Sequence, residues 1–186
     1  MDTRQSRVVF KNLFILIAFA LLTLPFWLTF QDILTKIVMN IKWYQFLQDK
    51  IVPHELSVIA VVLNLLHIPI RVGLGYFEWS AKDGTPIMVN LAWNCVGWQT
   101  FVLFMLSLLT GLSTNIAWDK KIAVFVIALL TTYLINILRL VLVVAVYFYF
   151  GSSFGVVFHN YFSNLLSLVW FFLFWWFAYR YVLEER

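Results

Sequence analysis

Charge is scarce in this sequence. Of 186 residues, 13 are Lys or Arg and 9 are Asp or Glu, so only 12% carry charge, against about a quarter in an average soluble domain. That excludes an ordinary cytosolic protein, a disordered chain and a nucleic-acid-binding module. Cysteine occurs once, at Cys95, so no intrachain disulfide can staple the fold. A lone thiol is either a small buried hydrophobe or a reactive group. With three histidines beside that one cysteine, a structural zinc site is not expected. The chain also lacks an internal repeat and a low-complexity linker.

Apolar side chains fill the gap. They make up 63% of the residues, aromatic rings alone 19%, and the mean hydropathy is +0.89. One soluble core of this size cannot hide so much apolar surface, because small domains leave much of theirs exposed. A bilayer can. The net charge of +4 comes from Lys and Arg near the ends of apolar segments, where it reports orientation in a membrane.

Read along the chain, Arg4, Arg7 and Lys11 precede an apolar run over 13–30. Its length and the lack of a small-x-small site argue for an uncleaved first span with a cytoplasmic start. Residues 31–53 interleave Lys36, Lys42, Gln48 and Lys50 with Ile33, Ile37, Ile41 and Phe46, the pattern of an interfacial helix. The apolar run 56–70 is short for a crossing, which takes about 20 helical residues. Residues 68–94 read as strand, turn and strand, with Asp83-Gly84 as the hairpin signal.

Three spans follow: from Cys95 to Leu112, from Ile122 to Phe150, and from Asn160 to Tyr179. Lys120-Lys121 and Arg180 mark cytoplasmic ends, leaving the hairpin, Cys95 and a loop over 151–159 outside. The expected fold is an all-α polytopic membrane protein of about 5–6 membrane helices. A small extracytoplasmic β-hairpin would precede the cysteine. One integral membrane domain covers 1–186: a span over 1–30, amphipathic and short apolar helices over 31–70, the hairpin over 71–94, and a three-helix core over 95–180.

Arg139 is the one charge between Lys121 and Arg180. Such a residue costs at least ~2.5 kcal/mol inside an apolar helix, so it usually faces a bundle interior or a polar cavity. Snorkelling to the interface is the plainer reading. Asn136 lies one turn away on the same face, making a polar stripe. Helical rise places Arg139 roughly 27 Å from Lys121, Cys95 roughly 26 Å from Leu112, and His159 roughly 31 Å from Arg180. All three therefore reach the outer boundary of a core about 30 Å thick.

The chemistry suits that placing. A thiol at a helix start is favoured as thiolate, a guanidinium stabilises an oxyanion, and a histidine exchanges protons near neutral pH. Together they suffice for covalent acyl transfer. His54 and His67 read as interfacial residues. Trp93 and Trp98 read as interface anchors, and Trp170, Trp175 and Trp176 as packing or lipid-facing residues. A non-enzymatic membrane subunit, using Arg139 and Asn136 to hold a partner helix or lipid headgroup, is the main alternative. A lipid-linked acyltransferase is a second.

Cys95-Val96-Gly97, Asn136-Ile137-Leu138-Arg139-Leu140 and His159, in this order and spacing, resemble the exosortase/archaeosortase family of membrane cysteine transpeptidases. The likeness spans about residues 68–180. Val96 departs from the Ser or Thr that many members carry there, and Cys-Val-Gly-Trp looks closer to archaeal members. The resemblance implies Cys95 as nucleophile, Arg139 as oxyanion or substrate stabiliser and His159 as general acid/base. Asn136 and Gly97 would support them. It implies secreted protein substrates bearing a C-terminal motif, transmembrane helix and basic tail, and a lipid or other envelope group as acceptor. Neither cofactor nor metal is expected.

Overall fold

The computed structural model describes residues 3–80, 86–112 and 116–183. Within them the chain is mostly helical, with one small sheet. Helix α1 (Thr3–Asn40) runs unbroken for 38 residues, through Pro25. The boundary expected at residue 30 does not interrupt it. No Gly or Pro stands between Gln31 and Asn40, so the change from apolar to amphipathic alters which face is polar and not the backbone. The helix ends just before Lys42, whose φ of 58° is left-handed.

A helical arm follows: α2 (Tyr44–Phe46), a wide π turn over Leu47–Ile51, and α3 (Val52–Leu65). Pro53 starts α3, where its missing N–H breaks no helical bond. The arm lies against α5 (Trp118–Phe150).

The sheet has three antiparallel strands in the order β1 (Arg71–Val72), β2 (Tyr76–Ser80) and β3 (Pro86–Asn90). β2 pairs with β3 in the expected hairpin, Phe77 opposite Val89 and Trp79 opposite Ile87. The hairpin turn, including Asp83-Gly84, lies outside the described residues. The sequence pattern takes the stretch before it as one strand. Gly73-Leu74-Gly75 folds it back into two, Gly75 at φ 99°, because glycine alone takes that region freely. Phe77 and Trp79 face inward and are buried, as strand alternation requires.

Among the described residues, three helices are long and apolar enough to cross a membrane: Leu21–Asn40 within α1, α5 with 33 residues, and the helical stretch Ser152–Val182. That stretch is α6 (Ser152–Val157), a π turn over Phe158–Phe162, α7 (Ser163–Phe177) and a final π turn. Helix α4 (Trp98–Gly111) has 14 residues, a length of about 21 Å. It falls short of the full crossing expected from Cys95. The loop expected over 151–159 is also absent, since Gly151 (φ 84°) alone reverses the chain between α5 and α6.

Polarity is inverted relative to a soluble fold. Large apolar residues cover the outside, Leu109 80% exposed and Phe26 78%. Glu55, Gln99, Thr100, Asn136, Arg139, Ser163 and Ser167 are buried. One apolar cluster joins α3, the sheet and the second half of α5 through Leu56, Ile59, Phe77, Leu140 and Val144. A second joins α4, the first half of α5 and α7 through Phe104, Leu108, Val124 and Phe174. The membrane-spanning part of α1 docks on α7 through Trp27 and Leu168.

Candidate active site

Cys95 stands between the sheet and α4, in a single 3-10 turn over Trp93–Cys95. Its N–H bonds to the Ala92 carbonyl at 2.8 Å. The turn is held from the helical arm by Gln48, whose Oε1 accepts from the Trp93 N–H at 2.9 Å. The same amide donates from Nε2 to the Leu91 carbonyl at 3.4 Å. Trp93 stacks on Trp98 with centroids 6.0 Å apart, and Tyr44 leans on Trp93. These two indoles thus brace the turn that carries the cysteine.

Gly97 then enters α4 at φ 78°. A Cβ there would come 2.6 Å from both Cγ and Oδ1 of Asn136. The glycine of Cys-x-Gly is needed twice, for its left-handed backbone and for the close approach of α5. Asn136 Nδ2 donates to both oxygens of Glu55, at 3.4 and 3.3 Å. Glu55 is 2% exposed and belongs to α3. Asn136 therefore ties α3 to the Gly97 turn, and its described partner is Glu55, not Arg139.

Arg139 is 6% exposed and donates from Nη2 to the backbone carbonyl of Cys95. Its Nε is buried with no hydrogen-bond partner. The guanidinium thus lies behind the cysteine with donor capacity to spare.

His159 sits in the π turn of the last helical stretch, its Nε2 3.4 Å from the Cys95 sulfur. π turns recur at functional sites because the wider turn redirects a side chain. Nδ1 lies 3.2 Å from the Asn160 Oδ1, an oxygen that only accepts. With Nδ1 donating to that oxygen, Nε2 is left to take the thiol proton. The Cys95 sulfur also lies 3.6 Å from Asn94 Oδ1. Burial acts to raise the Cys95 thiol pKa. The hydrogen bond and charge of His159, the charge of Arg139 and the Ala92 contact outweigh burial, and the net effect is to lower it.

Two cavities meet at this pair and share only Asn94, Cys95 and His159. One, of about 300 Å³, lies between the sheet and α5 and is walled mainly by apolar side chains. The other, about 120 Å³, is polar and is bounded by α1, α4 and α7, with Gln31, Asp32, Gln99, Ser163 and Arg139 in its wall.

Cys95, Arg139 and His159, spread over 65 positions in sequence, thus converge, with Gly97 and Asn136 immediately behind. His54 and His67 are exposed and line neither cavity. Trp175 is fixed by an Nε1 bond to Ser107 at 3.1 Å, whereas Trp176 is 62% exposed. Among the described residues, no group of three or more His, Cys, Asp or Glu is placed to hold a metal. Sequence reasoning passed over Glu55, Gln48, Asn160 and the polar wall of the second cavity. Glu55 had a signal, being the one charge between Lys50 and Arg71. So did Asn160, by adjacency to His159.

No protein-family model, no curated protein and no solved structure matches the chain.

Proposed function

We propose that this chain is a membrane-embedded cysteine transpeptidase of the exosortase/archaeosortase kind. It cleaves a C-terminal sorting signal from secreted proteins and passes the new C-terminus to a lipid or other cell-envelope acceptor. One observation carries the reading: the Cys95 sulfur lies 3.4 Å from His159 Nε2, with the Arg139 guanidinium bonded to the same residue's carbonyl. The short Cys-x-Gly and Asn-x-x-Arg motifs, in family order, support it. The enzyme is read as a multi-pass protein of the cytoplasmic membrane with about 5–6 membrane helices and its site on the extracytoplasmic side.

In this mechanism His159 Nε2 takes the thiol proton as sulfur adds to the scissile carbonyl carbon. The carbonyl oxygen takes up the negative charge beside Arg139. Collapse of the adduct breaks the C–N bond, and the leaving amine takes the proton from His159, giving a thioester. The acceptor's hydroxyl or amine then yields its proton to His159 and attacks the thioester carbonyl. Expulsion of the thiolate, which regains that proton, completes the transfer. Water in place of the acceptor gives hydrolysis.

The test is processing of a tagged secreted substrate carrying motif, transmembrane helix and basic tail, in one host. Cys95→Ala, Arg139→Ala and His159→Ala are each expected to abolish it. Normal trimming by Cys95→Ala would overturn the mechanism. A membrane subunit that uses Arg139 and Asn136 to hold a partner predicts that outcome, with only Arg139→Ala defective. Labelling of Cys95 by an impermeant maleimide in intact cells tests the orientation; labelling only after lysis would reverse it.

A further inference from the structure

Cys95 and His159 form one rim of the cavity between the sheet and α5. Its floor is apolar, with Phe77, Leu140, Val143 and Val144, while Asn90, Asn94 and Tyr147 add polar groups to the wall. Phe77, Leu140, Val143 and Val144 are each no more than 4% exposed, and Phe77, Leu140 and Val144 belong to the packed cluster of α3, sheet and α5, so the pocket is preformed. Arg139 does not line it; the guanidinium faces the polar cavity on the other side of the cysteine. A carbonyl attacked by Cys95 therefore has its oxygen on the Arg139 side. The substituents of the same peptide unit then have the apolar hollow available.

Asn90 adds a backbone contact. Leu91 N–H bonds to the Gly75 carbonyl at 2.8 Å and Val89 pairs with Phe77, so in the antiparallel alternation the Leu91 N–H and the Val89 backbone groups turn towards β2. Those of Asn90, which borders the cavity, face away from β2 at the edge of the sheet. An extended peptide entering the hollow can pair with them.

We propose that this cavity is a specificity subsite for one bulky apolar side chain, aromatic or large aliphatic, beside the bond that Cys95 attacks. The proposal rests on the acyl-transfer reading for the identity of the substrate. Its selectivity is the property of the pocket alone. A polar side chain reaching the floor of the hollow would surrender its water to Phe77, Leu140, Val143 and Val144, which offer no side-chain hydrogen bond in return. A small one would leave the hollow unfilled.

The test uses the full chain in membranes or detergent and two peptidyl chloromethyl ketones that differ only in the residue next to the ketone, Phe in one and Ser in the other. Sulfur displaces chloride from the methylene carbon, the thiol proton passes to His159, and the adduct on Cys95 is followed by intact mass. Each rate is divided by the same variant's rate with iodoacetamide, which carries no side chain. The Phe probe should label about tenfold faster or more. Val144→Phe fills the floor of the pocket and Ala92→Phe blocks its mouth; both should remove most of that preference. Ala92 is exposed, so the second variant leaves the core intact if the first does not fold.

Equal labelling by the two probes, or an undiminished Phe preference in Ala92→Phe, overturns the subsite. The transpeptidase reading fails separately. If the Phe preference appears but Cys95→Ala still processes the sorting substrate, the subsite stands and the transpeptidase reading falls. Loss of processing in Cys95→Ala without any probe preference gives the converse.

Discussion

The two halves of α5 are built differently. From Trp118 the buried positions are Val124, Ala128 and Thr132, one per turn along a single stripe. The stripe meets the aromatic cluster of α4 and α7, and the opposite side, with Leu130 55% exposed, faces outward. From Asn136 onward burial covers most of the circumference: Asn136, Ile137, Arg139, Leu140, Val141, Val143 and Val144. There α3 and the sheet lie against the helix. A helix in lipid needs no cover for its apolar side. An arginine and an asparagine do, because lipid offers neither hydrogen bonds nor counter-charge. The helical arm and the sheet therefore read as the enclosure for the polar half, and the aromatic half as the anchor.

The largest expected effect separates those roles. Arg139→Ala should lower processing by at least about 10²-fold, the scale for loss of one oxyanion donor. Arg139→Lys should not restore it, since an ammonium cannot both reach the Cys95 carbonyl and present a planar fork. Phe104→Ala, in the aromatic half, should cost about 3 kcal/mol of stability through its cavity. Its activity per folded molecule should stay near wild type. Rates normalised to the monodisperse fraction on size exclusion check both; an equal loss from Phe104→Ala would abolish the distinction.

Next comes Gly97, the tightest contact of the polar half. Alanine there meets Asn136 at 2.6 Å and must hold φ 78°. Such strain amounts to about 1–3 kcal/mol, so a loss of about tenfold in rate is expected from displacement of the neighbouring cysteine. Gly97→Ala combined with Asn136→Ala removes the two 2.6 Å contacts, leaving the Asn136 Cβ at 3.2 Å, but not the backbone strain. Its loss should be smaller than the sum of the two single losses, a coupling read from a double-mutant cycle. Strict additivity would show that the contact does not transmit to the site.

The same division explains what the sequence revealed. Arg139, Asn136, Cys95 and His159 were legible because each is a chemical exception in an apolar run, and helical rise alone puts Cys95, Arg139 and His159 at one height. Their partners were not. Gln48 sits in a segment full of polar residues, where nothing marks the one that clamps Leu91 and Trp93. The periodicity of Ser152–His159 is weak, and Gly151 reads as the start of a loop when it is the whole turn. Length misled at α4, because Cys95-Val96-Gly97 is apolar enough to extend the run but is held outside the helix by Gly97. The β1 strand was hidden for a related reason: two glycines in an apolar stretch make a reversal that hydropathy does not register.

Glu55 sharpens the comparison at a smaller scale. It receives both Asn136 bonds from inside the enclosure, so Glu55→Ala leaves a buried amide unpaired, at a cost of about 1–3 kcal/mol. Glu55→Gln keeps an acceptor oxygen and should lose less. Thermal unfolding of the detergent-solubilised variants in the order wild type, Gln, Ala checks this. If Ala matches wild type, the arm is not held through Asn136.

The smallest expected effect is a shift along the pH axis. The Cys95 thiol is half-buried, and burial opposes its ionisation; His159 and Arg139 reverse the balance and bring its pKa below the usual value. Iodoacetamide labelling should therefore have its midpoint below the ordinary thiol value of about 8.5. His159→Ala removes both the hydrogen bond and the nearby charge, so burial gains weight and the midpoint must move upward. The linkage has the matching sign: an acid whose folded pKa is depressed contributes stability that is present above its unfolded pKa and fades as pH falls through the folded one. Wild type should thus lose part of its thermal stability on acidification through the labelling midpoint, and Cys95→Ser should lack that component. A downward shift in His159→Ala would mean that the imidazole does not favour the thiolate, and the polar half would be an enclosure without an activated nucleophile.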